Sequence, residues 1–152
     1  MPQSLAKLYT HIIFSTKKRF PFFQDNKIRN ETYKYIASIL KSENSLPIII
    51  NGTKDHIHIL CNISKDISVA SLIVSIKRSS SKWLKSKKGI FSKFYWQKGY
   101  GAFSISESIK DTTINYIRNQ SQHHKIKTFK DEFIEILESY RVDYDRKYYG
   151  IN

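Results

Sequence analysis

One stretch constrains this chain more than any other: Leu46-Pro47-Ile48-Ile49-Ile50-Asn51-Gly52-Thr53-Lys54-Asp55-His56-Ile57-His58-Ile59-Leu60-Cys61. It reads as two short strands, 46–51 and 55–62, with Gly52 supplying the turn between them. Successive side chains of a strand point to opposite faces. Ile57 and Ile59 therefore point into a core, while His56 and His58 project together from the other side. Each neutral imidazole offers one nitrogen lone pair, so the pair suits a single divalent metal ion. Two solvated strand histidines would give the same pattern, and the rest of the chain has to decide.

The flanking segments supply the other elements. Leu5 to Thr16 is β-branched and aromatic and predicts a first strand, ended by Lys17-Lys18-Arg19; His11 within it reads as structural. Asp25 or Asn26 caps a helix to about Glu43, with Ile28, Tyr35, Ile36, Ile39 and Leu40 at helical spacing. A second helix spans about Ser68 to Ser86, burying Val69, Leu72, Ile73, Ile76 and Trp83. An aromatic loop from Phe94 enters a fourth strand, where Gly99 and Gly101 allow close backbone approach to another group. A third helix runs from Ser106 to about His123. Thr128 caps a last one, with Phe129, Phe133, Ile136, Leu137 and Tyr140 as its packed stripe. The order β-α-β-β-α-β followed by helices predicts an α+β, ferredoxin-like split βαβ fold with an antiparallel sheet. Both internal helices cover one sheet face, and the other face or an edge is left for ligand, partner or the final helices. The expectation is one domain over 1–152, with a loosely ordered tail at 141–152.

Charge narrows the function classes. Twenty-six Lys and Arg against thirteen Asp and Glu leave a formal +13, which points to a polyanion and most often to nucleic acid. Aromatic residues make up 14% of the chain, enough for a core and for stacking on unpaired bases. Lys17, Lys18 and Arg19 are candidate phosphate contacts, as are Arg78, Lys82 and Lys85 on the outer ridge of the second helix. No run approaches the roughly 20 apolar residues of a membrane span, and the N-terminus has no signal-peptide pattern, so a cytoplasmic protein is expected. Cys61 stands alone, which excludes a disulfide framework or a cysteine-rich zinc site.

Tyr116 and Gln120 lie four apart, on one face of the third helix. A tyrosine can attack a phosphodiester and store the bond energy as an ester that a DNA hydroxyl later attacks. Gln120 could complete a metal shell beside His56 and His58; two nitrogens and one oxygen suit Mg2+ or Mn2+. Read blandly, Tyr116 is one of ten tyrosines and Gln120 a surface amide.

Three segments together resemble a known family: Asp55-His56-Ile57-His58-Ile59-Leu60, Trp96-Gln97-Lys98-Gly99-Tyr100-Gly101-Ala102-Phe103-Ser104, and Tyr116-Ile117-Arg118-Asn119-Gln120 with His123-His124 behind it. In content, order and separation they are similar to the single-tyrosine HUH transposases of small insertion sequences, which include the REP-associated tyrosine transposases. The resemblance implies His56 and His58 as the metal pair, Tyr116 as nucleophile and Gln120 as third ligand. It implies action on single-stranded DNA bearing hairpins near element ends, through a 5′-phosphotyrosine with a free 3′-hydroxyl, by a homodimer. The thin apolar content of the third helix, taken with the resemblance, predicts docking on a neighbouring subunit, with Tyr116 of one chain facing the histidines of the other. Two alternatives stay open: a non-catalytic single-stranded nucleic-acid-binding module on the same fold, and a domesticated or replication-type HUH nuclease.

Overall fold

The computed structural model describes residues 3–125 and 127–144. Four strands, β1 (Tyr9–Ser15), β2 (Leu46–Gly52), β3 (His56–Asn62) and β4 (Gly101–Ser104), form one antiparallel sheet. Its order is β2-β3-β1-β4, the split βαβ arrangement. The alternation in β3 sorts the two faces. Ile57, Ile59 and Cys61 join Ile12 and Phe14 of β1 in the main core, beneath α1 (Asn26–Ser42) and α2 (Val69–Lys85). Both helices start at capped positions: the Asp25 side chain accepts from the Lys27 amide, and Ser68 accepts from that of Ser71.

The opposite face carries His11, Ile13, His56, His58 and Leu60, and here the solvated-histidine alternative fails. His56 and His58 do not face solvent: they are 1% and 0% exposed. They lie beneath α3 (Lys110–Arg118), α4 (Gln120–His123) and α5 (Phe129–Ser139). Within the single chain the third helix rests on its own sheet. Ile117 packs with Tyr9, Leu60 and Ile105 of the same chain, and a second cluster joins Ile13 and Phe103 to Phe129, Phe133 and Leu137. Burying Ile117 and Leu60 fully contributes about 1.5–3 kcal/mol each to this packing. The histidines sit between these two apolar patches.

The expected helix from Ser106 to His123 is interrupted. A 3-10 turn at Glu107–Ile109 precedes α3, and α3 ends at Asn119 before α4 begins. Asn51 of β2 causes the break: its Nδ2 donates to the carbonyls of Ile117 (2.9 Å) and Arg118 (3.1 Å), which in a continuous helix would accept from later amides. Gly52 and Gly101 are fixed by close approach. A Cβ on Gly52 would stand 2.1 Å from the His56 carbonyl oxygen, and one on Gly101 would stand 2.8 Å from the Phe133 ring. Most of the aromatic loop is core, since Phe94 and Trp96 are buried and Tyr95 is exposed. Thr128 caps α5 by accepting from the Asp131 amide. Of the tail expected to be loose, 145–152 lies outside the described residues.

Candidate active site

The centre of the upper face is one carboxylate. Glu132 projects from the first turns of α5 into the histidines of β3, and its Oε1 lies 3.1 Å from His58 Nε2, 3.1 Å from His124 Nε2 and 3.4 Å from His56 Nε2. Its Oε2 accepts from Gln120 Nε2 at 3.1 Å and from the Tyr116 hydroxyl in a short hydrogen bond. Gln120 Oε1 points back to His56 Nε2 at 3.1 Å. Gln120 is 0% exposed, so the surface-amide reading fails. The cluster therefore brings together His56, His58, Tyr116 and Gln120, all four from one chain.

A further layer fixes the rings. His56 Nδ1 lies 2.9 Å from Asp55 Oδ1 and 2.9 Å from Thr53 Oγ1; the carboxylate accepts, so this nitrogen carries the proton. His58 Nδ1 lies 2.9 Å from Nε2 of His11, and the two rings stack at 5.1 Å between centroids. The strand register makes His11 the diagonal neighbour of His58, since β1 pairs Ile13 with His58 and His11 with Leu60. His11 is thus part of the site rather than a bystander in the first strand.

The electrostatics follow from burial and these bonds. Burial alone would raise Glu132, but hydrogen bonds from His124, His56 and His58 outweigh it and hold the carboxyl well below its usual range. Burial pulls His58 down to about 4 and His11 to about 3, so both are neutral near pH 7. His56 moves the other way: burial lowers it, but Asp55 and Glu132 together raise it above its ordinary value. Burial and the Glu132 charge push the Tyr116 phenol far up.

These placements demand a cation. With its proton on Nδ1, His56 donates from Nε2 to Glu132 Oε1 only as the doubly protonated ring; as the neutral ring it turns a lone pair toward Gln120 Oε1 and Glu132 Oε1, which are themselves acceptors. Either a second proton on His56 or a metal ion relieves that meeting of lone pairs. One ligand atom each from His56, His58 and Glu132 lies within 4.8 Å of the others, so the donor set fits a divalent ion.

The sequence reading assigns Glu132 no role, and His124 enters there only as part of the third resemblance segment. Glu132 did leave a signal: it sits at i+3 from Phe129 and directly before Phe133, an acid in line with the apolar stripe of α5. The basic candidates divide. Lys18 and Arg19 line an open cleft of about 1010 Å³ beside the cluster, whose walls include Asp55, His124 and Phe129. Both take positive φ, 55° and 56°, in the 3-10 turn Lys17–Arg19. Lys17 and Lys85 instead meet over the exposed Tyr95 ring, 5.4 and 4.0 Å from its centroid. Arg78 and Lys82 lie with Lys85 on α2, across the sheet from the cluster.

Fold and site define a small α+β domain with a buried histidine–carboxylate centre and an apposed tyrosine hydroxyl. Residues 4–120 match the family model of IS200-like transposases, and the chain belongs to that family. Solved structures share the fold. A protein described as a transposase of Deinococcus radiodurans R1 superposes with a TM-score of 0.62 at 19% identity, covering 79% of this chain and 95% of its own. A REP-associated tyrosine transposase bound to a REP hairpin gives a TM-score of 0.60 at 14% identity, covering 86% of this chain and 78% of its own. No curated protein sequence matches the chain. Among the described residues no helix is long and apolar enough to cross a membrane.

Proposed function

We propose that this chain is a DNA transposase that cleaves and rejoins single-stranded DNA at insertion-sequence ends through a 5′-phosphotyrosine at Tyr116. The observation that carries the reading is that the Tyr116 hydroxyl and the His56 and His58 nitrogens converge on one buried carboxylate, in a chain of the IS200-like transposase family. The Tyr116 oxygen attacks phosphorus, an O–P bond forms, and the P–O3′ bond breaks. Burial and the neighbouring charge disfavour a free phenolate, so the phenolic proton leaves as the bond forms. Glu132 Oε2, already its hydrogen-bond acceptor, takes that proton. The electron pair of the broken bond stays on the 3′-oxygen, which is protonated from solvent. Attack by a 3′-hydroxyl on the phosphotyrosine reverses the step and joins the strands. His56, His58, Glu132 and Gln120 would hold a divalent ion, Mg2+ or Mn2+, which would supply Lewis-acid polarisation of the phosphate.

The hairpin in the REP-associated structure supports hairpin-bearing single strands as the substrate class. A homodimer fits this reading with each subunit using its own tyrosine, because the cluster is complete within one chain. The test is a denaturing gel of protein incubated with labelled strands from the DNA flanking its gene. A covalent band that needs the divalent ion and disappears in Tyr116→Phe and His58→Ala supports the reading. A band that persists in Tyr116→Phe overturns the nucleophile assignment, and full cleavage in chelator overturns the metal's role.

A further inference from the structure

The cleft beside the cluster has a chemical direction. Its cations are Lys18, Arg19, Arg29, Lys54, Lys125 and Lys127, set against the acids Asp55 and Asp131. Lys127 is paired with Glu135 at 2.5 Å, whereas Lys18, Lys54 and Lys125 are exposed and have no acidic partner among the described residues. Unpaired cations gathered in one concavity fit a phosphate backbone.

The cleft also lies on one side of the centre. The His56 ring is 4.4 Å from His124 and 4.5 Å from Phe129, both cleft walls. Tyr116 is not a cleft residue. Its ring packs at the other side of the cluster, 4.7 Å from His123, 5.8 Å from His58 and 6.4 Å from His11. In phosphoryl transfer the attacking and leaving oxygens stand roughly in line across phosphorus. A phosphate at the His56–His58–Glu132 centre, attacked from the Tyr116 side, expels its 3′-oxygen toward His56 and the cleft.

We infer that the cleft holds the single-stranded segment upstream of the scissile phosphate, the strand that ends in the released 3′-hydroxyl. The downstream segment, which becomes joined to Tyr116, leaves by the other side. The inference rests on the functional reading above and adds polarity to it. It gives the cleft a role in rejoining: cations that retain the upstream strand keep its 3′-hydroxyl opposite the phosphotyrosine.

The experiment is a double-mutant cycle between cleft and DNA. The protein arm is Lys18→Ala/Lys54→Ala/Lys125→Ala, three exposed positions outside the catalytic cluster, in a Tyr116→Phe background that prevents turnover. The DNA arm replaces phosphates by neutral methylphosphonates either upstream or downstream of the cleavage position mapped on the gel. Affinity is read by fluorescence anisotropy against salt. The triple variant should flatten the slope of log affinity against log salt by about 2, from three single-strand phosphate contacts at about 0.7 each. Upstream neutralisation should produce the same loss and add little to the triple variant, while downstream neutralisation adds in full. Non-additivity with the downstream half, with both halves alike, or with neither overturns the assignment even where cleavage is intact. Failure to cleave any single strand would sink the functional reading itself, and this inference with it.

Discussion

Glu132→Ala is the most revealing single change, because one carboxylate holds the upper face together. It is 3% exposed and meets His58, His124, His56, Gln120 and Tyr116. Deleting it leaves the Tyr116 hydroxyl, Gln120 Nε2 and the histidine Nε2 atoms without the charge they are arranged around. Removing one partner of a buried charged network costs about 3–5 kcal/mol. At about 2–4 °C per kcal/mol for a chain of this size, the thermal midpoint should fall by roughly 6–20 °C. Glu132→Gln keeps the shape and one acceptor oxygen but not the charge, and should fall between the variant and the parent. Manganese adds a second readout. At a hundredfold excess over its dissociation constant it should stabilise the parent by about 2.7 kcal/mol, and Glu132→Ala should lose most of that gain. Scanning calorimetry with and without the ion measures both effects. A Glu132→Ala protein within about 1 kcal/mol of the parent, with an undiminished manganese response, would refute the carboxylate's central place.

His11 makes a pH-dependent prediction: burial pulls it to about 3, so below its ordinary 6.5 the unfolded chain takes up a proton that the folded chain refuses. Stability should therefore decline as pH falls from about 6.5 toward 3, at up to about 1.4 kcal/mol per pH unit, and His11→Phe should flatten that decline in denaturant titrations. An unchanged slope would contradict the buried neutral ring. Gly52→Ala places a Cβ 2.1 Å from the His56 carbonyl oxygen and should destabilise by at least about 1–3 kcal/mol in urea unfolding, since a backbone atom has to move. Parental stability would show that the turn has room. Mixing Tyr116→Phe with His58→Ala protein should restore no cleavage if each chain uses its own tyrosine. Recovery near a quarter of all sites, from random exchange into dimers, would show that tyrosines are shared between subunits.

What the sequence disclosed depended on how local the signal was. The alternation in β3, the caps at Asp25 and Thr128 and the apolar spacing from Val69 to Trp83 are local, and they placed the sheet and three of its helices. The break at Asn119 is not local, because it depends on Asn51, which is brought to Ile117 and Arg118 only by the folded sheet. His11 became part of the site through the register of β1 on β3, which residue patterns do not state. The apolar content of α3 is thin, yet within the single chain the helix packs through Ile117 on Tyr9, Leu60 and Ile105. The surface it covers is itself partly polar, built from Asn51 and the histidines. Glu132 was hidden by the habit of reading a helix stripe for its apolar members.

The most direct measurement is the identity of the residue that becomes joined to DNA. Protein incubated with a cleavable single strand and manganese is digested with trypsin and nuclease, and the adduct peptide is sequenced by mass spectrometry. The expected result is a peptide with Tyr116 carrying a 5′-phosphorylated nucleotide, and an upstream fragment that ends in a free 3′-hydroxyl. An adduct on any other tyrosine, such as Tyr100, or a linkage through a 3′-phosphate would contradict the assignment.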